Sequence, residues 1–201
     1  MKKTVLDNFI ILYSENDSLN FMTLLQNINN EQSAKNLWEF ASFNNIKNTN
    51  HVVNQKTFNL PTSDNLFSFI NYSVLIEEQQ VIKKNNLKYA LNNHIFPFLN
   101  DYLETHELSI KKIKDWTVYE QISDSNFHHD INKDGLRHSY TILVALNDDY
   151  VGGDMYFENR VGNEAIKMSK GDVLIYPSGI NYKHKESQVT SGNKYAAVAY
   201  F

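Results

Sequence analysis

Residues 127–130 read Phe-His-His-Asp. Side chains alternate faces along a strand, so His128 and Asp130 would point the same way and His129 the other. An imidazole and a carboxylate set so can share one metal ion. The pair alone is common by chance, so a third ligand must come from a distant strand that closes over the first. His184 is the best candidate, 54 residues beyond Asp130. Two histidines plus one carboxylate, with the remaining positions open, make a facial triad suited to Fe(II). The chain has no cysteine. Thiolate zinc sites, disulfides and thiol catalysis are thereby excluded.

Lys194 follows ten residues after His184 and shares a strand face with Ala196, Val198 and Tyr200. A cation leading an inward row of small and apolar side chains is costly without an anionic partner. A bound carboxylate would supply one; the alternative is that Lys194 lies at a strand start and reaches water. Glu186, two residues after His184, makes a second potential ligand pair with it. We read Glu186 as solvated and keep Asp130 as the carboxylate ligand. Arg160 reads as a solvated loop cation and His129 as structural. His51, His94 and His106 lack ligand spacing.

These residues need elements to hold them. At 201 residues, the chain suffices for one domain with a substantial core. Apolar residues make up 42%, as in a globular protein. The net charge is −4, with no broad basic field to hold a phosphate backbone, which argues against nucleic acid as a partner. Asp7 and Asn8 interrupt the apolar stretch after Met1-Lys2-Lys3, and no run approaches a membrane span. The expectation is a soluble, cytoplasmic protein.

All seven glycines lie between Gly135 and Gly192. That asymmetry predicts a helix-rich first part and a turn-rich β second part. In the first, a strand is expected within Thr4–Tyr13, a helix through Leu19, Met22, Leu25 and Ile28 capped by Asp17 or Ser18, and a short helix over Glu31–Ala41. Residues 43–75 read as loop with a strand or two. The strongest helix signal runs from about Ser73 to Glu104, where Leu87, Leu91, Ile95 and Leu99 recur at i, i+4. Pro97 should kink it or begin a new helix. Eight short strands follow: Trp116–Ile122, Phe127–Ile131, Ser139–Leu146, Asp154–Glu158, Ala165–Met168, Asp172–Tyr176, Tyr182–Ser187 and Lys194–Phe201. Such a run forms a sandwich, barrel or jelly roll.

The order of motifs in residues 116–201 resembles the catalytic core of the Fe(II)/2-oxoglutarate dioxygenases, in particular their prolyl 4-hydroxylase-like branch. The matching features are Tyr119, His128 with Asp130, Thr141 through Leu146-Asn147, Gly152-Gly153, Gly171-Asp172 and Pro177-Ser178. His184, Val189-Thr190-Ser191-Gly192, Lys194 and Tyr195 complete the series. The first 110 residues match only loosely.

The resemblance implies an α+β fold: a double-stranded β-helix (jelly roll) core with flanking N-terminal helices. Residues 1–201 would form a single domain, with 1–114 as helix-rich support and 115–201 as the catalytic core. His128, Asp130 and His184 would ligate Fe(II). Lys194 would pair with the far carboxylate of 2-oxoglutarate, and Tyr119 and Thr141 would line the cosubstrate pocket. The implied activity is hydroxylation of an amino-acid or peptidyl substrate, prolyl among the options, with O2 consumed and 2-oxoglutarate decarboxylated to succinate. Ascorbate joins the expected cofactors. The competing reading is a cupin-like metal- or small-molecule-binding module without oxidative turnover. Several positions depart from the family pattern. Ala145 stands where many relatives have a Tyr, residues 120–127 contain no Gly, Gln188 replaces a common Pro, and Glu186 stands where an apolar residue is usual.

Overall fold

A computed structural model of the chain describes residues 1–14, 39–40, 55–59, 75–109, 113, 116–121, 124–130 and 140–201. The expected helix through Leu19–Ile28, most of 43–75 and the loop 131–138 lie outside these residues. The described residues form mostly antiparallel sheet with one long helix.

Twelve strands are described. The first two, β1 (Lys2–Asp7) and β2 (Ile10–Ser14), pair as a hairpin. The single strand expected within Thr4–Tyr13 is thus split at Asn8-Phe9, Asn being a residue that favours turns. β3 (Glu39–Phe40) pairs with β4 (Gln55–Asn59), so the end of the helix expected over Glu31–Ala41 is strand instead. The helix α1 (Leu75–Thr105) is followed by β5 (Thr117–Gln121), β6 (Tyr140–Ala145), β7 (Val151–Gly152) and β8 (Met155–Phe157). The last four strands are β9 (Val173–Pro177), β10 (His184–Glu186), β11 (Val189–Ser191) and β12 (Lys194–Tyr200).

Eight strands form one sheet in the order β1-β2-β9-β6-β12-β5-β4-β3. Two short pairs, β10–β8 and β11–β7, stand apart from it. Period-2 alternation sorts the large sheet's side chains between two apolar clusters. Val118, Ile142, Val144, Val173, Ile175, Ala197 and Ala199 pack with Leu87, Leu91, Ile95, Phe98, Leu99 and Tyr102 of α1. The opposite parity, Tyr119, Leu143, Leu174, Tyr176 and Ala196, packs with Met155 and Phe157 of β8. The central strands are therefore covered on both faces, as in a sandwich with a helix on its outer side. Each fully buried large side chain contributes about 1.5–3 kcal/mol.

Polar tethers fix the helix in register. Trp116 Nε1 donates to Asn92 Oδ1 (2.8 Å), and Tyr102 Oη donates to Phe9 O (2.9 Å). His94 Nε2 donates to Gly171 O (2.7 Å). Pro97 lies inside α1 without ending it. The buried Ile95, Phe98, Leu99 and Tyr102 on both sides of it hold the helix against the sheet, and this packing outweighs the one lost backbone bond. Arg160 is a structural cation: it pairs with Asp7 (2.9 Å), donates through Nε to Asn181 O (2.8 Å) and lies over the Tyr182 ring (4.2 Å).

Two expected strands reduce to single bridges, His128 with His184 and Ile166 with Met155. For the first, the cause is a bulge. Ser125 N donates to Glu186 O (3.0 Å), and His128 and His184 exchange both backbone bonds (2.9 and 2.8 Å). Three residue steps thus oppose two, and the extra residue breaks the ladder.

Candidate metal and carboxylate site

The same bulged crossing sets the geometry of the two histidines. A pair that exchanges both backbone bonds places its side chains on one face of the sheet. The His128 and His184 rings lie 4.5 Å apart, centroid to centroid. Asp130 Oδ1 is 4.0 Å from His128 Nε2 and 3.5 Å from His184 Nε2. One potential ligand atom from each of the three residues lies within 4.8 Å of the others.

Both imidazoles are oriented from behind. His128 Nδ1 is 2.8 Å from Asn126 O, and His184 Nδ1 is 3.1 Å from Tyr182 O. A carbonyl only accepts, so each Nδ1 is the donor and each Nε2 is left toward Asp130, the arrangement of a metal-binding imidazole held by a second hydrogen bond. Asp130 is held in turn. Thr141 Oγ1 (2.7 Å) and Tyr176 Oη (3.1 Å) both donate to its Oδ2. Ser178 Oγ lies 2.8 Å from Thr141 Oγ1 and donates to it, since the Thr141 proton goes to Asp130. The Tyr176 hydroxyl also stands 3.3 Å from His184 Nε2.

The electrostatics favour a positive charge among these ligands. Burial alone would raise the Asp130 carboxyl, but the charge and hydrogen bond of His184, then His128 and Thr141, hold it well below the usual carboxylate range. Burial would lower His184; Asp130 reverses the sign and raises it. His128 is lowered, first by burial and then by His184. The donor set and this field fit a divalent cation with imidazole and carboxylate ligands.

Lys194 does not reach water. It is 4% exposed, as is Glu186, and its Nζ contacts Glu186 Oε1 at 2.6 Å. Nζ also donates to Gly153 O at 2.6 Å. Gly153 has φ +67, and a Cβ there would stand 2.8 Å from Lys194 Cδ, so only glycine allows this approach. Tyr119 Oη donates to the same Glu186 oxygen (2.9 Å). Burial first, then the Glu186 charge, raises the Tyr119 hydroxyl well above its ordinary value. Glu186 is fixed through its backbone as well, its N–H donating to Ser125 Oγ (2.8 Å).

Of the residues singled out from sequence, His128, Asp130 and His184 come together, and so do Tyr119 and Lys194. Thr141 sits against Asp130, paired with Tyr200 at the end of β12 remote from Lys194. His129 is outside the three-residue cluster. The expectation that Glu186 is solvated is corrected: it is buried, because its parity on β10 equals that of His184 and turns it inward. Tyr176 and Ser178 were not anticipated. The signal for Tyr176 was its parity with the inward Leu174 on β9.

Comparisons with known proteins agree with this geometry. The sequence model of the 2OG-Fe(II) oxygenase superfamily matches residues 115–201. That span contains every residue of both groups. That match supports reading the second part of the chain as a 2-oxoglutarate- and Fe(II)-dependent oxygenase. The described residues of that span include the His128, Asp130 and His184 cluster that would hold the iron of such an oxygenase. A PKHD-type hydroxylase of Acinetobacter baumannii is 36% identical over 59 residues, covering 29% of this chain and 25% of that protein. A PKHD-type hydroxylase of Psychrobacter is 34% identical over 74 residues, covering 36% and 28%. The matched stretches thus span about a quarter of the length of these curated relatives. Among solved structures, a prolyl hydroxylase of Trichoplax adhaerens, bound to a hypoxia inducible factor peptide, superposes with TM-score 0.65 at 16% identity, covering 96% of this chain and 84% of that one. A Pseudomonas putida prolyl-4-hydroxylase gives TM-score 0.57 at 11% identity, covering 96% and 91%. These two likenesses concern the fold. No helix among the described residues is long and apolar enough to cross a membrane.

Proposed function

We propose that this chain is an Fe(II)- and 2-oxoglutarate-dependent dioxygenase that hydroxylates an amino-acid or peptidyl substrate, prolyl residues included. The sandwich is then a double-stranded β-helix, with residues 115–201 as catalytic core and 1–114 as support within one domain. The observation that carries the reading is the convergence of His128, Asp130 and His184, both imidazoles presenting Nε2 toward one carboxylate.

In this reading those three residues hold Fe(II). Iron held there would let O2, the oxidant, take two electrons from 2-oxoglutarate, which loses CO2 to give succinate, and two from the substrate C–H bond that is hydroxylated. The chain supplies positioning. Thr141 and Tyr176 fix Asp130, and the backbone carbonyls of Asn126 and Tyr182 fix the rings. Lys194 and Tyr119 form a carboxylate receptor beside the metal ligands. Its fit to that chemistry is supported by the carboxylate of Glu186 already held there. Ascorbate belongs to the proposal as an accessory reductant.

The test is succinate formation from 2-oxoglutarate with Fe(II) under air, with metal binding followed separately by the visible absorption of added Co(II). Turnover that disappears in H128A, D130A and H184A supports the reading. Metal binding without any Fe(II)-dependent 2-oxoglutarate binding or turnover replaces it with a metal-binding module.

A further inference from the structure

We propose that Glu186 is a built-in competitor for the cosubstrate: its carboxylate occupies the Lys194–Tyr119 receptor, and a dicarboxylate 2-oxo acid must displace it to bind. The inference rests on the function proposed above and deepens it by naming the residue that sets cosubstrate affinity and selectivity.

Position comes first. His184 and Glu186 stand two apart on β10 with the same parity, roughly 7 Å along the strand. A molecule ligated beside His184 and reaching toward Lys194 would run along this line, and the Glu186 side chain lies across its far end. The contacts are those expected of a bound carboxylate. One oxygen, Oε1, accepts both from Lys194 Nζ (2.6 Å) and from Tyr119 Oη (2.9 Å).

Charge decides the consequence. Gly153 O takes another Lys194 donor at 2.6 Å, and β12 and β5 fix Lys194 opposite Gln121. The ammonium is enclosed and already neutralised. A second carboxylate in the same dry pocket would face Glu186 across a single cation, and like charges in low dielectric repel strongly. Binding a dicarboxylate therefore requires Glu186 to leave Lys194. Its apparent affinity is reduced by the fraction of protein in which Glu186 has moved. A 2-oxo acid without a far carboxylate makes no claim on Lys194 and escapes this cost.

The experiment titrates 2-oxoglutarate and 2-oxobutanoate into the Co(II)-loaded protein by calorimetry, without O2, for wild type, Glu186→Gln and Glu186→Met. Glutamine keeps the shape and removes the charge; methionine keeps the volume without the carboxylate. Thermal melting and the Co(II) spectrum report folding and an intact metal site in each. The expected result is 2-oxoglutarate binding about tenfold or more tighter in both variants, within the usual range of such couplings, with 2-oxobutanoate changed less than about twofold. In wild type, 2-oxoglutarate should exceed 2-oxobutanoate in affinity by less than about tenfold. A wild-type preference of about a hundredfold or more overturns the inference without any variant. Unchanged or weaker 2-oxoglutarate binding in folded, Co(II)-binding variants overturns it while leaving the proposed function standing. Absence of 2-oxoglutarate binding in wild type and both variants, with Co(II) bound, overturns the inference and the cosubstrate assignment together.

Discussion

The two ends of β10 solve opposite problems with similar side chains. At His184, two imidazoles and one carboxylate are each held from behind, and their ligand atoms converge. At Glu186, a carboxylate, an ammonium and a phenol satisfy one another and leave little for a visitor. Exposure does not follow that division, since the His184 and Asp130 side chains are 5% and 10% exposed. The His128 side chain is 26% exposed, and those of Glu186 and Lys194 are 6% and 5%. Burial of charge is tolerated at both ends, but by different means: the first attracts a cation, and the second has its counter-ion built in. Under the proposed function, the difference teaches that the Lys194–Tyr119 group, not the His128–Asp130–His184 cluster, is the part of this site that must rearrange.

The comparison can be broken most directly at its metal end. D130A and H184A should each lower Co(II) affinity by more than about 100-fold, beyond what loss of an outer partner produces, as read from the visible spectrum of folded protein. Retained binding in either would remove the triad. At the other end, K194A strands the Glu186 carboxylate in a dry pocket and should destabilise the protein by about 3–5 kcal/mol in denaturant unfolding. A loss under about 1 kcal/mol would mean that the ion pair is not closed in solution. The variant should also raise the 2-oxoglutarate requirement; an unchanged requirement would misplace the receptor. T141V removes one support of Asp130 and should cost about 10–100-fold in Co(II) affinity, with the triad otherwise assembled. The smallest effect is expected for H129A, which should leave the Co(II) spectrum and affinity within about twofold of wild type. A larger change would bring His129 into the ligand set.

Much of the fold was legible because it depends on local periodicity. Leu87, Leu91, Ile95 and Leu99 mark the buried stripe of α1, whereas β6 and β9 are continuous apolar runs buried on both faces, so their sequence does not say which parity faces the helix. The element that read least well is Phe127–Ile131. The bulge opposite β10 is a matter of partner register, which no property of residues 125–128 alone specifies. Of the two outcomes expected at Pro97, a new helix start does not occur, because packing against distant strands outweighs the lost local bond.

The site divides along the same line. Sequence by itself determined the candidate ligand types and their spacing, His128 with Asp130 and the distant His184, and a lysine sharing a strand face with Ala196, Val198 and Tyr200. It did so because side-chain chemistry and strand parity are properties of neighbours along the chain. Only the tertiary structure decided what completes them: Tyr176 and Thr141 on Asp130, and Glu186 on Lys194. Those contacts join β6, β9, β10 and β12 across a closed interior, where whether a charge is solvated or paired depends on which residues the other strands place opposite it.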